Sequence, residues 1–416
     1  MIARERTENL MPAPGTAAAL LTADAVRRHC GEVARPAIEG RSAHFRWQEE
    51  RVPAVAAYVV DVIRERYPSL QVPVHSRWRH FEAGGIDRWA ALAATHGLEG
   101  AAHRVERARA AVDLVIPSVL LDAGAGPEWR YREAASGQEL ARSEGLAVAG
   151  LHLFASGLLS SDRAQPLRAD AVALARVRPD ELARAFQAGP GNALVGLEGR
   201  AALLARLGAV MQSQPEWFGA PARLGNLVDA WRAMASGGRI AAAEVLATLL
   251  RALGAMWPGR IVQDGVPLGD CWRHPAASGG LVPFHKLTQW LAYSLLEPLA
   301  DAGLTVTGLE SLTGLPEYRN GGLLLDLGLL EARDPTFHTR VLAVDEPAVV
   351  EWRALTVVGL DRLAPPVRAA LGLDAAAFPL ARMLEGGTWA AGRKIAAARR
   401  AGGAPPVNVA SDGTVF

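Results

Sequence analysis

The chain has 416 residues, of which 50% are hydrophobic, so it is long enough to bury a large apolar core. Its formal net charge of +1 argues against binding to nucleic acid or to a membrane surface through bulk charge. The two cysteines, Cys30 and Cys271, form no disulfide framework, and no signal peptide or membrane-spanning stretch is apparent. We therefore expect a cytoplasmic protein without nucleic-acid or membrane partners.

Helical patterns dominate the chain. Residues 1–15 carry acidic side chains and no apolar run, and we interpret them as a flexible leader. Apolar residues then recur at three- and four-residue spacing, which is typical of helices, in 24–34, 56–67, 87–98 and 242–257. Strand patterns are short, and the best of them is 341–344. The sequence predicts a mostly α, multi-helix globular protein with minor β, in which 16–416 form one catalytic unit with a candidate seam near 161–180.

Five stretches differ from the rest of the chain in composition. Most of the predicted helices are built from Ala, Leu, Val and Arg, whereas these stretches are rich in Trp, His, Tyr, Asn and paired Gly. They are HSRWRHFEAGGIDRW (75–89), LLDAGAGPEWRYRE (120–133), LGDCWRHP (268–275), LVPFHKLTQWLAYSLLEPL through LTGLPEYRNGGLLLD (281–326) and LEGGTWAAGRK (384–394). Because such side chains supply charge, hydrogen bonds and flat surfaces, we expect the functional site in these stretches.

The fourth stretch contains a rare lysine. Of the 44 basic residues, only Lys286 and Lys394 are lysines, so arginine serves wherever else a positive charge is needed. The lysine ammonium is compact and its pKa responds to burial, unlike that of a guanidinium. Pro283 suits the first turn of a helix, on which Lys286 and Gln289 share a face beside the apolar stripe. The pattern therefore predicts a helix that presents a lysine.

A carboxylate follows at the start of a second predicted helix. Pro316 suits a first helical position, so Glu317 lies at a helix N-terminus, where the dipole favours its ionised form. A carboxylate beside an ammonium suits cleavage of a glycosidic bond, because negative charge stabilises the oxocarbenium-like transition state or activates water. Lys286 would position Glu317 and the sugar, or protonate the leaving group. The alternative is a structural ion pair between Lys286 and Glu317.

The two helices resemble the paired motifs of the queuosine-nucleoside N-glycosylase family. In that family a Lys-Arg-Ala-Gln helix precedes an Ala-Asp-Tyr-Arg-Val-Pro-Gln segment. The residues that match its lysine, glutamine, aspartate, tyrosine and arginine are Lys286, Gln289, Glu317, Tyr318 and Arg319. Leu287 and Asn320 depart from the family pattern, standing where it has arginine and valine. The resemblance implies a helix-hairpin-helix core like that of DNA glycosylases, with Lys286 and Glu317 as the catalytic residues.

A wider resemblance spans nearly the whole chain. The motifs HSRWRHFEAGGIDRW, LLDAGAG, RSEGLAVAGL, WPGRI, LVPFHKLTQWL, LPEYRNGG, VEWRALTV, LEGGTWAAGR and SDGTVF occur in this order. Together they resemble the fungal and bacterial family of the "fourth" uracil-catabolism protein. The resemblance implies a place downstream of uracil ring opening, where ribosylurea or its 5′-phosphate is broken into urea and ribose. That reaction is also an N-glycosidic hydrolysis, and it needs no cofactor.

The first stretch supplies candidates for substrate binding. Arg77 and Arg79 would bind a 5′-phosphate, since guanidinium groups hold phosphate oxygens in pairs. His75 and His80 would make polar contacts, and their five-residue spacing does not suit zinc. The alternative is a packing segment that is rich in Arg and Trp.

Further candidates come from the other stretches. Asp122 would contact ribose hydroxyls or else cap a turn. Asp270 lies roughly where the queuosine family has an acidic residue, and Trp272 would stack on a planar ureido group or else pack in the core. His285 adjoins the catalytic lysine. Glu385 belongs either to the site or to an ion pair.

Two other classes of function compete with an N-glycosidase. A metal-dependent amidohydrolase acting on the ureido group would draw its ligands from His75, His80, His274 and His285, although no HxH or HExxH motif supports it. A non-catalytic scaffold for other pathway enzymes would lack a deep polar pocket. We favour the N-glycosidase, with a small-molecule substrate and with neither metal nor cofactor.

Overall fold

Helices predominate in the computed structural model, which describes residues 15–122, 124–257 and 261–410. The α-helices are α1 (Ala17–Leu20), α2 (Ala23–Ile38), α3 (Val52–Arg66), α4 (Arg77–Phe81), α5 (Arg88–Thr95), α6 (Arg104–Leu120), α7 (Arg142–Ala155), α8 (Ala171–Leu174), α9 (Pro179–Ala185), α10 (Leu197–Gln212), α11 (Pro215–Phe218), α12 (Leu227–Met234), α13 (Ala242–Leu253), α14 (Lys286–Ser294), α15 (Leu296–Asp301), α16 (Tyr318–Asp326), α17 (Pro347–Leu371), α18 (Leu380–Met383) and α19 (Trp389–Arg399). A π-helical turn, Leu384–Thr388, joins the last two.

The strands are short and pair two by two. They are β1 (Phe45–Trp47), β2 (Tyr131–Arg132), β3 (Glu139–Leu140), β4 (Arg239–Ala241), β5 (Val262–Gln263), β6 (Val266–Pro267), β7 (Cys271–Arg273), β8 (Leu281–Pro283), β9 (Thr305–Thr307), β10 (Leu330–Ala332), β11 (Val341–Ala343) and β12 (Asn408–Ala410). The pairs β4–β9 and β11–β12 are parallel, and β1–β10, β2–β3, β5–β6 and β7–β8 are antiparallel. The prediction of a mostly α protein with minor β is confirmed.

The periodic segments fold as predicted. The four predicted helical segments correspond to α2, α3, α5 and α13, and the predicted strand is β11. Helix α2 begins after Thr22, whose hydroxyl accepts the amide of Ala25, and α5 begins after Asp87, whose carboxylate accepts the amide of Ala90. In α2, α3 and α13 the buried face is mainly apolar, as the periodicity predicts, whereas α5 buries only Arg88 and Ala93.

Two large apolar cores organise the fold. The first surrounds α6, which is buried from Ala108 to Leu120 apart from Arg109, and it takes side chains from α7, α10, α13 and α14. The second is built from α3, α16, α17 and α19. The segment 161–180, the candidate seam, contributes Leu167 and Leu174 to the first core, which also receives residues from either side of it. The cavity described below lies where the two cores meet.

Several predictions fall on residues outside the described part of the chain. These are the leader up to residue 14, the middle of the WPGRI motif (258–260) and the terminal SDGTVF motif (411–416). Among the helices that the structure describes, none combines the length and the apolar character needed to cross a bilayer.

The lysine helix begins later than its sequence suggested. Pro283 lies in β8, which pairs with β7, and not in the first turn of a helix. The chain then reverses at His285, whose φ of 48° is left-handed, and α14 begins at Lys286. Helix α14 ends at Ser294, and α15 begins after Leu295. Strand pairing thus displaces the proline from the helix, and it leaves Lys286 in the first turn.

Candidate active site

A cavity of about 520 Å³ lies between the two cores, a size that suits a small-molecule ligand. Its polar and aromatic lining comprises His75, His80, Asp122, Arg142, Ser143, Lys286, Trp290, Glu317, Tyr318, Arg319, Trp389 and Asn408. Seven of the residues that the sequence singled out therefore meet here: both catalytic candidates, both histidines of the first stretch, Asp122, Tyr318 and Arg319. These residues come from segments that are far apart in the chain.

Glu317 is the N-cap of α16. Its two carboxylate oxygens accept the backbone N–H groups of Arg319 and Asn320, at 2.7 and 2.6 Å. Pro316 therefore precedes the cap and does not occupy the first helical position. Glutamate is not a favoured N-cap residue, since shorter polar side chains do this with less loss of freedom. Burial raises the pKa of Glu317, against the opposing effects of the two amides and of Lys286.

Lys286 is the first residue of α14, and its side chain lines the same cavity. Burial lowers the pKa of its ammonium, while the charge of Glu317 is the largest influence in the opposite direction. Within the described ranges, the Lys286 Nζ forms no direct ion pair or hydrogen bond, with Glu317 or with any other side chain. The two groups therefore influence each other's charge across the cavity while each remains available to a ligand.

Asp270 lies behind the lysine and outside the cavity. Its carboxylate accepts the Lys286 backbone N–H at 3.0 Å and forms a two-point ion pair with Arg353, at 2.7 and 2.8 Å. Burial alone would raise the pKa of Asp270, but the guanidinium holds it far below its usual range. Arg353 also donates to the Pro316 carbonyl oxygen at 3.4 Å. The pair thus connects the start of α14 with the residue before Glu317.

An aromatic wall, formed by His75, His80, Trp290 and Trp389, closes one side of the cavity. The His75 ring lies 6.2 Å from that of Trp290 and 5.6 Å from that of Trp389. Its Nδ1 contacts the Glu385 carboxylate at 2.7 Å, so Glu385 positions His75 from outside the cavity. Burial, with a nearby guanidinium, places the pKa of His80 well below its ordinary value, so that imidazole is neutral at pH 7.

The two arginines predicted to bind phosphate are both engaged elsewhere. Arg77 is fully buried behind the cavity wall, where its Nη1 lies 2.8 Å from Asp122 and its Nε donates to a serine hydroxyl. The Arg79 Nη2 donates to both carboxylate oxygens of Glu297, at 2.9 and 3.0 Å, and Arg79 does not line this cavity. Burial raises the pKa of Asp122, and Arg77 opposes that effect. The arginines that do line the cavity are Arg142 and Arg319.

Three other candidates support α14 and do not line the cavity. Gln289 is fully buried and exchanges hydrogen bonds with Thr313 through both its amide nitrogen and its amide oxygen. The His285 Nε2 lies 2.9 Å from the Leu20 carbonyl oxygen, and the Trp272 indole donates to Asp270. All three side chains therefore make contacts within the fold and not with the cavity.

The sequence analysis missed several lining residues. Arg142 and Ser143 lie in the motif RSEGLAVAGL, which resembles the family but carried no separate chemical signal. Trp389 lies in the fifth of the unusual stretches but was not singled out as a site residue. The segment 403–409, with Asn408, closes another side of the cavity, and nothing in its composition marked it. Arg353 was also missed because a single arginine in a long helix looks like any other surface charge.

The histidines required for a metal-dependent amidohydrolase are dispersed. His75 and His80 line the cavity, whereas His285 contacts the Leu20 carbonyl and His274 lies 3.9 Å from Glu351 in another part of the molecule. In 15–122, 124–257 and 261–410, no three His, Cys, Asp or Glu side chains come together in a way that could hold a metal ion.

Comparison with known proteins places this fold in a family. Residues 19–416 match the family model described as "Protein of unknown function (DUF1688)". The chain is 37% identical to "Uracil catabolism protein 4" of Lachancea kluyveri, with 91% of this chain and 93% of that protein covered. It is also 37% identical to "Protein urg3" of Schizosaccharomyces pombe, with 96% and 99% covered. The resemblance to the uracil-catabolism family is confirmed by these two fungal relatives, and the chain belongs to the DUF1688 family.

Proposed function

We propose that this protein is an N-glycosidase of uracil catabolism, which hydrolyses ribosylurea or its 5′-phosphate to urea and ribose or ribose phosphate. The name of the Lachancea relative supports the pathway. The observation that carries the proposal is the pairing of Glu317 and Lys286 in one cavity. Neither residue is neutralised by direct contact with the other. A carboxylate held by two backbone amides is fixed in place before any ligand arrives.

Glu317 would act on the sugar. As the C1–N bond breaks, its electron pair moves to the urea nitrogen and positive charge develops at C1 and the ring oxygen. The carboxylate of Glu317 stabilises that charge and accepts a proton from the water that adds to C1. Because burial raises the pKa of Glu317, its basicity exceeds that of an exposed glutamate, which favours the proton transfer.

Lys286 would act on the leaving group. The departing urea nitrogen needs one proton, and an ammonium whose pKa is lowered by burial is a better proton donor than an ordinary lysine. The proton that Glu317 gains from water restores the charge on Lys286 through solvent, so one water is consumed and both groups return to their starting forms. Arginine could not replace lysine in this role because its guanidinium does not release a proton.

The remaining surroundings suit a planar, uncharged leaving group. The rings of Trp290 and Trp389 offer flat surfaces on which a ureido group stacks. Neutral His80 supplies a hydrogen-bond donor and acceptor without adding charge. We include in the proposal a helix-hairpin-helix core of the DNA-glycosylase kind, in which the turn before Glu317 leads into α16 and the lysine-bearing α14 comes earlier in the chain. Its support is that these two helix starts face one cavity.

The direct test is to incubate the purified chain with ribosylurea and, separately, with its 5′-phosphate. We expect equimolar release of urea and of the matching sugar from at least one of them. Glu317→Gln keeps a group that can cap α16 but removes the charge, and it should reduce the rate by at least about a hundredfold. The matched control is Glu310→Gln, which changes an exposed glutamate near the same turn and should leave the rate unchanged.

Two results would contradict the proposal. The first is the absence of urea release from both substrates under conditions in which the protein is folded. The second is full activity of Glu317→Gln. Release of ammonia in place of urea would instead point to hydrolysis of the ureido group.

A further inference from the structure

Two arginines of the cavity, Arg142 and Arg319, have no carboxylate partner among the residues that the structure describes. Arg319 is only 6% exposed, and its Nη1 donates to the Gly403 carbonyl oxygen at 2.8 Å. Arg142 donates to the adjacent Gly402 carbonyl oxygen, also at 2.8 Å. Both guanidinium groups are therefore anchored to the same turn by one hydrogen bond, and each retains further N–H donors.

Of the two, Arg319 is buried and Arg142 is exposed. Most other buried arginines pair with a carboxylate, whereas Arg200 donates to the backbone carbonyl oxygens of Leu121 and Gly124. Each of four has a carboxylate oxygen at 2.8 Å or less: Arg77 with Asp122, Arg88 with Glu133, Arg223 with Asp113 and Arg353 with Asp270. Burying a charge is costly unless it is paired and hydrogen-bonded, so these pairs follow the usual rule. Arg319 departs from it at the wall of a cavity, where an anionic ligand would supply the missing partner.

The charges around the cavity point to the same conclusion. Three cations line it, namely Lys286, Arg142 and Arg319, while the carboxylate of Asp122 is already paired with Arg77 from behind. Glu317 is the one lining carboxylate, among the described residues, that no arginine side chain pairs with. A phosphomonoester carries about −1.5 to −2 charges at pH 7, which matches this excess of positive charge.

The start of α7 adds a weaker contribution. Arg142 and Ser143 form its first turn and line the cavity, and the preceding Ala141 has no side chain that could cap the exposed amides. The positive end of a fourteen-residue helix therefore lies beside the two guanidinium groups. Arg142 also adopts a left-handed φ of 54°, which is rare for a residue with a side chain.

We propose that Arg142 and Arg319 form the phosphate-binding subsite of this cavity and that the substrate is a phosphorylated sugar derivative. This inference rests on the proposed function, and it selects the 5′-phosphate of ribosylurea over ribosylurea itself. The fork of Arg319 and that of Arg142 would each offer paired N–H donors to the phosphate oxygens, while Glu317 faces the sugar.

Equilibrium binding, measured by calorimetry with ribose 5-phosphate and with ribose, tests the subsite without any turnover. We expect the wild-type chain to bind ribose 5-phosphate at least about tenfold more tightly than ribose, because hydrogen bonds to charged groups are the strong ones. Arg142→Gln and Arg319→Gln should each remove most of that preference while changing the affinity for ribose by less than about twofold. Arg319→Lys keeps the charge, and it should retain part of the preference.

The matched control is Arg178→Gln, which removes one positive charge from an exposed ion pair with Asp180, and its binding should equal that of the wild type. Equal affinity for ribose and ribose 5-phosphate would overturn the inference, as would an unchanged preference in folded Arg319→Gln and Arg142→Gln. Failure of the proposed function would look different. Tight, arginine-dependent binding of ribose 5-phosphate without urea release would support the phosphate subsite and contradict the proposal of an N-glycosidase.

Discussion

Arg353 and Asp270 form a two-point ion pair that connects the starts of the two helices bearing Lys286 and Glu317. Neither charge touches the cavity, so both are positioning residues. We expect Asp270→Asn to lower kcat by at least about tenfold while the affinity for ribose 5-phosphate changes little, because 1.4 kcal/mol of lost positioning gives that factor. Leaving Arg353 buried without its carboxylate should also cost about 3 kcal/mol of unfolding free energy.

To check this prediction, kcat and the Kd for ribose 5-phosphate are measured for Asp270→Asn and for the wild type. Urea unfolding of both proteins gives their free energies of unfolding. A purely structural role would lower the unfolding free energy but leave kcat of the folded fraction at the wild-type value. That result would show that the ion pair does not position the catalytic residues.

The two lysines of the chain allow a matched test of function against stability. Lys286 is buried without a direct carboxylate partner in the described structure, so Lys286→Met should leave the unfolding free energy unchanged or raise it by about 1 kcal/mol. Activity should nevertheless fall by at least about a hundredfold. Lys394 is exposed and pairs with Glu65, so Lys394→Met should alter neither activity nor, by more than about 0.5 kcal/mol, stability. Strong destabilisation by Lys286→Met, measured by urea unfolding, would instead support a structural ion pair.

A buried carboxyl outside the cavity should make stability depend on pH. Burial raises the pKa of Glu351 to about 7 from 4.5, against an opposing hydrogen bond from Ser42. Between these values the folded protein retains a proton that the unfolded chain releases. The stabilisation is therefore complete below pH 4.5 and is lost as the pH rises to about 7, by an amount on the order of 3 kcal/mol.

The check is the difference in unfolding free energy between wild type and Glu351→Gln across that range of pH. His274 lies 3.9 Å from Glu351 and titrates in the opposite sense, since burial lowers its pKa to about 4, so the same comparison is repeated in a His274→Gln background. The difference should change steadily with pH up to about 7. A difference that stays constant would show that Glu351 titrates normally.

Close packing behind the catalytic carboxylate gives a fourth prediction. A Cβ added at Gly392 in α19 would lie 2.2 Å from the Arg319 carbonyl oxygen, so the backbone that follows Glu317 would have to move. We expect Gly392→Ala to cost about 2 kcal/mol of unfolding free energy and to reduce activity. Gly31→Ala, in the interior of α2 where a Cβ meets nothing within 4 Å, should instead stabilise by about 0.5–1 kcal/mol. Thermal unfolding of both variants tests the contrast, and equal effects would contradict it.

Local periodicity predicted the helices well because α2, α3 and α13 bury one face against the core, and this leaves a repeating apolar pattern. The same reasoning failed at Pro283, where pairing of β8 with β7 overrides the preference of proline for a first helical turn. The sequence also predicted that Lys286 and Glu317 belong together, and both line the cavity. The stretch that contains both residues, 281–326, differs in composition from the helices around it.

Long-range partners set the limit of that prediction. Arg77 was expected to bind phosphate, and only the fold reveals that it forms an ion pair with Asp122. Arg142 carried no signal of its own. An arginine stands out only when no carboxylate lies near it in space, and that is known only from the folded structure. Gln289 was similarly misplaced, since its partner Thr313 comes from a loop beyond α15.

The closing segment of the cavity has a consequence for biosynthesis. Asn408 and its neighbours in 403–409 line the cavity, and β12 is held there by parallel pairing with β11. A growing polypeptide leaves the ribosome N-terminus first, so its helices can gather long before this wall exists. Until 403–409 has been synthesised, a nascent chain therefore has no finished pocket, and a ligand cannot stabilise its fold by binding there.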